Sequence, residues 1–159
     1  MRLELTRRGD YAVRAMLALA VRDAREITSG REIAAEMAIP AAFLPRVMTD
    51  MVAARLARST TGRMGGYALA RPAAEITLLE VIEAAEGESR RTTCVLRGGP
   101  CGQDGHCQVH GAFFAAQEAL LERLRAVTLA ELAGRTRSTA QLSGGSAVAR
   151  PRRRSRPSR

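Results

Sequence analysis

The sequence has no tryptophan and no lysine, and aromatic residues make up only 3% of it. A core so poor in rings must be aliphatic, assembled from Leu, Val, Ile, Met and Ala. No apolar run is long enough to span a bilayer; the longest, residues 11–21, is broken by Arg14. The opening residues lack an uninterrupted apolar run with a small-residue cleavage site, which speaks against a signal peptide. Cysteine is scarce: three residues, all between positions 94 and 107. A cytoplasmic protein is therefore expected, and in a reducing compartment an odd trio of thiols is no structural disulfide framework. There is also no phosphate-binding loop, no nucleophile–base pair and no acid/base cluster, so no enzyme is expected.

The 159 residues suffice for one domain, or one domain with an appendage. The net charge of +9 is unevenly spread. Residues 1–134 carry 17 arginines against 16 carboxylates, a net of +1, whereas residues 135–159 hold eight arginines and no acid. The terminal stretch "ARPRRRSRPSR" has too little apolar surface to fold. It reads either as a nucleic-acid-binding arm or as a solvated terminus.

Apolar spacing from Leu5 to Val21 predicts a first helix. Ser29, with Glu32 three residues on, predicts the capped start of a second, with Ile33, Ala34 and Met37 inside. "AAFLPRVMTDMVAARL" predicts a third, with Pro45 in its first turn, where a missing N–H costs little. A helix-turn-helix results. Residues 57–72 then read as strand, glycine hairpin and strand ended by Pro72, which makes a winged helix. A fourth helix follows, capped by Thr77, with Leu78, Val81 and Ile82 inward and Gly87 as its stop. Beyond the cysteines a long helix and a short one are expected. Phe113, Phe114, Ala116, Leu120, Leu121, Leu124 and Val127 form a wide apolar stripe. Such a helix packs on its own domain or on a second copy; two-fold reading of paired half-sites favours the second copy.

"CVLRGGPCGQDGHCQVH" holds every cysteine and both histidines. Cys94, Cys101 and Cys107 follow the pattern C-x(6)-C-x(5)-C, and His110 comes three residues after the last. Thiolates bind soft metal centres, and imidazole substitutes at one position. Glycines let the segment curl tightly enough for distant thiols to converge. Structural zinc sites favour paired C-x(2–4)-C knuckles, absent here, so the wider spacing suits an iron–sulfur cluster better. His106 reads as a loop histidine without a ligand role.

With "MRLELTRRGDYAVRAM", "GRMGGYALARP", "EITLLEVIEAAEG", the three cysteines and "TLAEL" in hand, residues 1–134 resemble the Rrf-type family of bacterial transcriptional regulators, which includes IscR-like and NsrR-like groups. The resemblance implies a homodimer whose winged helices enter DNA grooves while the long helices pair. It also implies a cluster that sets the DNA-reading elements. The IscR-like pattern implies Cys94, Cys101, Cys107 and His110 around a two-iron cluster. The NsrR-like pattern implies Asp10 of the other subunit as the fourth ligand of a four-iron cluster. Both groups usually place five residues between the first two cysteines; this chain has six, which a glycine-rich loop absorbs.

For DNA, the third helix offers Ala42, Phe43 and Arg46, since arginine pairs with guanine edges and apolar side chains touch thymine methyls. Phe43 also fits a core position. The wing offers Arg63 to the minor groove and Arg58, Thr60 and Thr61 to phosphates. The expected organisation is mainly α with a small β-hairpin. It comprises a winged helix-turn-helix (1–87), a cluster-binding loop (88–110), a dimerisation helix with a short terminal helix (111–134), and a disordered basic tail (135–159). Expected partners are a double-stranded DNA operator, a second copy and RNA polymerase, with no membrane. The alternatives are a cluster-free regulator sensing through its thiols or not sensing, and a winged-helix protein-interaction module.

Overall fold

The computed structural model describes residues 4–23, 26–89 and 109–142, with side chains through Arg135. Helix α1 (Arg7–Ala20) starts at Thr6, whose hydroxyl accepts the Gly9 N–H at 3.2 Å. Helix α2 (Gly30–Glu36) starts at Ser29, whose hydroxyl accepts the Glu32 N–H at 3.2 Å. Only this half of the anticipated capping box forms, because the Glu32 carboxylate faces Arg22, 3.7 Å away. At the turn, Ala38 sits at φ +51° and the Ile39 N–H returns to the Ala34 carbonyl at 2.9 Å. Helix α3 (Leu44–Ala53) carries Pro45 in its first turn, as expected. It closes the same way: Arg55 lies at φ +59° and the Leu56 N–H reaches the Met51 carbonyl at 2.9 Å.

Strands β1 (Ala57–Thr60) and β2 (Gly66–Leu69) pair antiparallel, with Ala57 opposite Leu69 and Thr60 opposite Gly66. The loop before α2 adds a bridge that the sequence did not announce. Thr28 and Tyr67 exchange both backbone hydrogen bonds, at 2.9 and 2.8 Å. Gly66 permits this approach, since a Cβ there would lie 2.2 Å from the Thr28 carbonyl oxygen.

A 3-10 turn (Ala73–Glu75) leads to α4 (Leu78–Glu86), where Thr77 and Glu80 form a complete capping box. Its buried residues are Leu79, Val81, Ile82 and Ala85; Leu78, expected inside, is only half-buried. Leu79, Ile82 and Ala85 (with Val81) line the inner face at helical spacing, which leaves Leu78 at its margin.

Helix α5 (His110–Ala126) and helix α6 (Leu129–Leu142) close the fold. The link between them runs beside the start of α4: Leu78 N–H bonds Val127 O at 2.8 Å, and Leu129 N–H bonds Ile76 O at 2.9 Å. This lays α6 on α1 and the 3-10 turn. The terminal helix, expected to be short and to stop before Arg135, continues to Leu142.

The fully buried side chains include Met16, Ile33, Leu44, Met48, Met51, Leu56, Ile76 and Leu129, an aliphatic core as the composition demands. Truncating any of them to alanine costs about 2–5 kcal/mol. The stripe on α5 contributes little to this core. Leu121 is the buried residue of that helix, while Phe113, Phe114 and Leu120 are exposed. Among the described residues, no helix is long and apolar enough to cross a membrane.

Candidate DNA-reading face and ligand donors

Leu44, Val47, Met48 and Met51 bury one side of α3. The same anchoring turns Ala42, Phe43, Arg46 and Thr49 to the surface. Arg8 of α1 fixes the helix laterally, its Nε and Nη2 donating to Asp50 Oδ2 at 2.9 and 2.6 Å. Phe43 is 47% exposed, so the core alternative for it fails. Its ring meets Tyr11 edge-on, with centroids 5.8 Å apart. Tyr11 thus steadies an apolar ring at the start of α3, a role the sequence reading missed.

The wing exposes Arg58, Thr60, Thr61 and Arg63. Gly62 at φ +108° makes its turn, and Gly65 N–H closes it on Gly62 O at 2.9 Å. Arg58 Nε also reaches the Leu69 carbonyl at 3.4 Å, which holds its side chain along the hairpin. Met64, also unremarked in the sequence reading, stands 88% exposed beside Arg63. Helix α3 and the wing therefore present a mixed apolar and cationic surface.

Of the ligand candidates, the structure describes two. Asp10 lies in the first turn of α1, and its carboxylate takes two contacts from Arg14, at 2.7 and 2.9 Å. Arg14 Nη1 also donates to the Met37 carbonyl at 3.4 Å, at the end of α2. His110 is the first residue of α5, half-buried, with its ring stacked on Phe114 at 5.8 Å. Cys94, Cys101, Cys107 and His106 lie outside the described residues. Among the described residues, no group of three or more His, Cys, Asp or Glu could hold a metal ion. What the structure does describe is the attachment of the cysteine segment, which leaves α4 and returns into α5. These helices pack against each other, and α4 packs on α1.

Residues 5–135 match the family Rrf2, described as an iron-dependent transcriptional regulator. The chain is similar to the regulator NsrR of Geobacillus kaustophilus, 31% identical over 131 residues, covering 82% of this chain and 89% of that protein. It is similar to IscR of Klebsiella pneumoniae, 32% identical over 130 residues, covering 82% and 79%. Two Mycobacterium tuberculosis relatives are 38% identical over 85 residues; the chain spans about half their length, 53%. In fold it matches CymR, the global cysteine regulator of B. subtilis, with a TM-score of 0.70 at 24% identity, covering 84% of this chain and 98% of that one. Fold, family match and similarity to these relatives agree: the chain belongs to the Rrf2 family of transcriptional regulators.

Proposed function

We propose that this chain is an operator-binding regulator whose affinity for DNA is set by an iron–sulfur cluster held on Cys94, Cys101 and Cys107. The donor set carries this reading. Three thiols and an imidazole within 17 residues are soft ligands of the kind such clusters take. Bound there, the cluster would supply reversible electron exchange and a target for oxygen or nitric oxide. The segment that bears the thiols joins α4 to α5, and α4 lies against α1. A change in how the thiols are held is therefore positioned to shift packed helices, and packed interfaces have discrete arrangements. Ala42, Phe43 and Arg46 would read base edges, Arg63 would enter the minor groove, and Arg58, Thr60 and Thr61 would hold phosphates. The exposed Phe113, Phe114 and Leu120 of α5 support pairing with a second copy.

A second reading, cluster-free sensing through the thiols, draws support from the likeness to Staphylococcus aureus CymR, a structure of its oxidized form, at 27% identity and a TM-score of 0.63.

Anaerobic purification with visible absorption and counts of iron and sulfide per chain separates the two. A brown protein with roughly two or four irons per chain supports the cluster reading. A colourless protein that stays iron-free after reconstitution, yet binds a selected duplex, overturns it for the thiol reading.

A further inference from the structure

The turn at the tip of the wing is held by its backbone. Gly62 lies at φ +108°, and Gly65 N–H bonds Gly62 O at 2.9 Å. A Cβ on Gly65 would lie 2.5 Å from the Thr60 carbonyl oxygen, so the hairpin is closed tightly there. Met64 stands between these glycines. It is 88% exposed, against 37–47% for the other exposed large apolar side chains among the described residues. A side chain so exposed contributes little to the fold. The backbone beneath it is already fixed, so a partner that buries it need not order the loop.

Charge says what kind of partner. Residues 51–74, which contain the wing, hold four arginines and no carboxylate, the longest acid-free run within residues 1–134. That suits a polyanion and disfavours a basic partner. Position narrows it further. Strand β1 packs on α3, and an open cleft of about 280 Å³ lies between helix and hairpin. Its lining, Met48, Thr49, Val52, Ser59 and Tyr67, includes no carboxylate to repel a phosphate. With α3 along a major groove, the neighbouring sugar–phosphate strand would cross this cleft, and the hairpin tip would lie over the adjacent minor groove.

We infer that Met64 is an apolar wedge that enters the minor groove beside Arg63, parts one base step and bends the duplex. The inference rests on the DNA-binding reading of α3 and the wing. An unbranched thioether adapts its shape to an irregular gap. Apolar side chains at a minor groove unstack and kink the duplex, most cheaply at pyrimidine–purine steps. The wedge would give the wing a preference for a deformable step, which contacts to phosphates do not supply.

The test compares the full chain with Met64→Gln and Met64→Leu, after melting temperatures have shown that both variants fold as the parent does. Duplexes of about 30 base pairs, one selected and one of random sequence, carry dyes at their ends for energy transfer. The selected duplex also carries 2-aminopurine at successive positions. The parent is expected to bring the ends closer and to raise 2-aminopurine emission at one step. Met64→Leu keeps both signals. Met64→Gln loses both and binds about five- to tenfold more weakly, with an unchanged salt slope because no phosphate contact is lost. A Met64→Gln protein that bends and unstacks the duplex as the parent does overturns the inference. So does a parent that binds without either signal, or a Met64→Gln change that alters only the protein's mass in solution, which would assign Met64 to a protein contact. Failure of the operator reading looks different: selected and random duplexes bind alike, yet bending still depends on Met64.

Discussion

Glu86 Oε1 accepts two hydrogen bonds from Thr6, from its N–H at 2.7 Å and its hydroxyl at 2.8 Å, across 80 positions of sequence. The last residue of α4 thereby closes the first turn of α1. Gly9 is buried beneath it, and a Cβ there would lie 2.1 Å from the same oxygen. The exit toward the cysteine segment is thus tied to the helix that bears Asp10 and, through Arg8 and Asp50, to α3. Glu86→Ala is expected to cost about 1 kcal/mol in urea unfolding, the worth of a helix-end hydrogen bond. Gly9→Ala should cost a similar amount by displacing the carboxylate. The pair of changes together should cost no more than the first alone; additive losses would show that Glu86 and Gly9 act separately.

Glu80 makes stability depend on acid. Burial pushes its carboxyl up, but the Thr77 N–H at 2.8 Å, the Arg71 guanidinium at 2.7 Å and the Thr77 hydroxyl at 3.0 Å together hold it below its ordinary value of 4.5. A depressed folded value means stability that is fully present above 4.5 and lost as pH falls through the folded value. Glu80→Gln should therefore be less stable than the parent at neutral pH. The loss is about 1 kcal/mol or less, since the ion pair is partly exposed to solvent. The two proteins should converge well below pH 4.5. Urea midpoints at neutral and strongly acid pH check this, and a pH-independent gap would refute it.

Ala38 holds a left-handed conformation at φ +51°, where a Cβ is a burden. Ala38→Gly should raise stability by about 0.5–1 kcal/mol, read as a higher melting temperature. A lower one would mean that the turn gains more from restricting the unfolded chain than it loses in strain.

His110 enters α5 next to the cysteine segment, whereas Asp10 is already engaged by Arg14. His110→Ala is therefore expected to lower iron and sulfide per chain after anaerobic reconstitution, and Asp10→Ala to leave them unchanged. The reverse pattern would assign the fourth position to Asp10, and Arg14→Ala should then increase cluster retention.

On the proposed reading, Arg46 would meet a base edge and Arg63 the minor groove. Arg46→Ala should cost about 1–3 kcal/mol on a selected duplex and relax preference at one guanine. Arg63→Ala should weaken binding at fixed salt, and unchanged affinity would remove the wing from the interface.

The sequence by itself determined the features encoded within a few residues. Ser29 and Thr77 start helices because their hydroxyls meet N–H groups three positions on, as Thr6 also does for a helix that begins at Arg7, two residues after the expected start at Leu5. Pro45 can stand only in a first turn, and the Gly65–Gly66 pair marks a hairpin. The arginine and threonine positions of the wing were legible for the same reason, and the cysteine spacing belongs with them.

What only the tertiary structure decided lies across long separations or against local preference. Ala38 and Arg55 take conformations that usually signal glycine, where the chain leaves α2 and α3 and the Ile39 and Leu56 N–H groups return to Ala34 and Met51. Leu79 rather than Leu78 is inside, and most of the α5 stripe is outside, because burial depends on which neighbour arrives. The Thr28–Tyr67 bridge and the Glu86–Thr6 bond join segments that carry no mark of one another. A cap is a bond within one turn, whereas these contacts exist only once an aliphatic core has brought distant chain together.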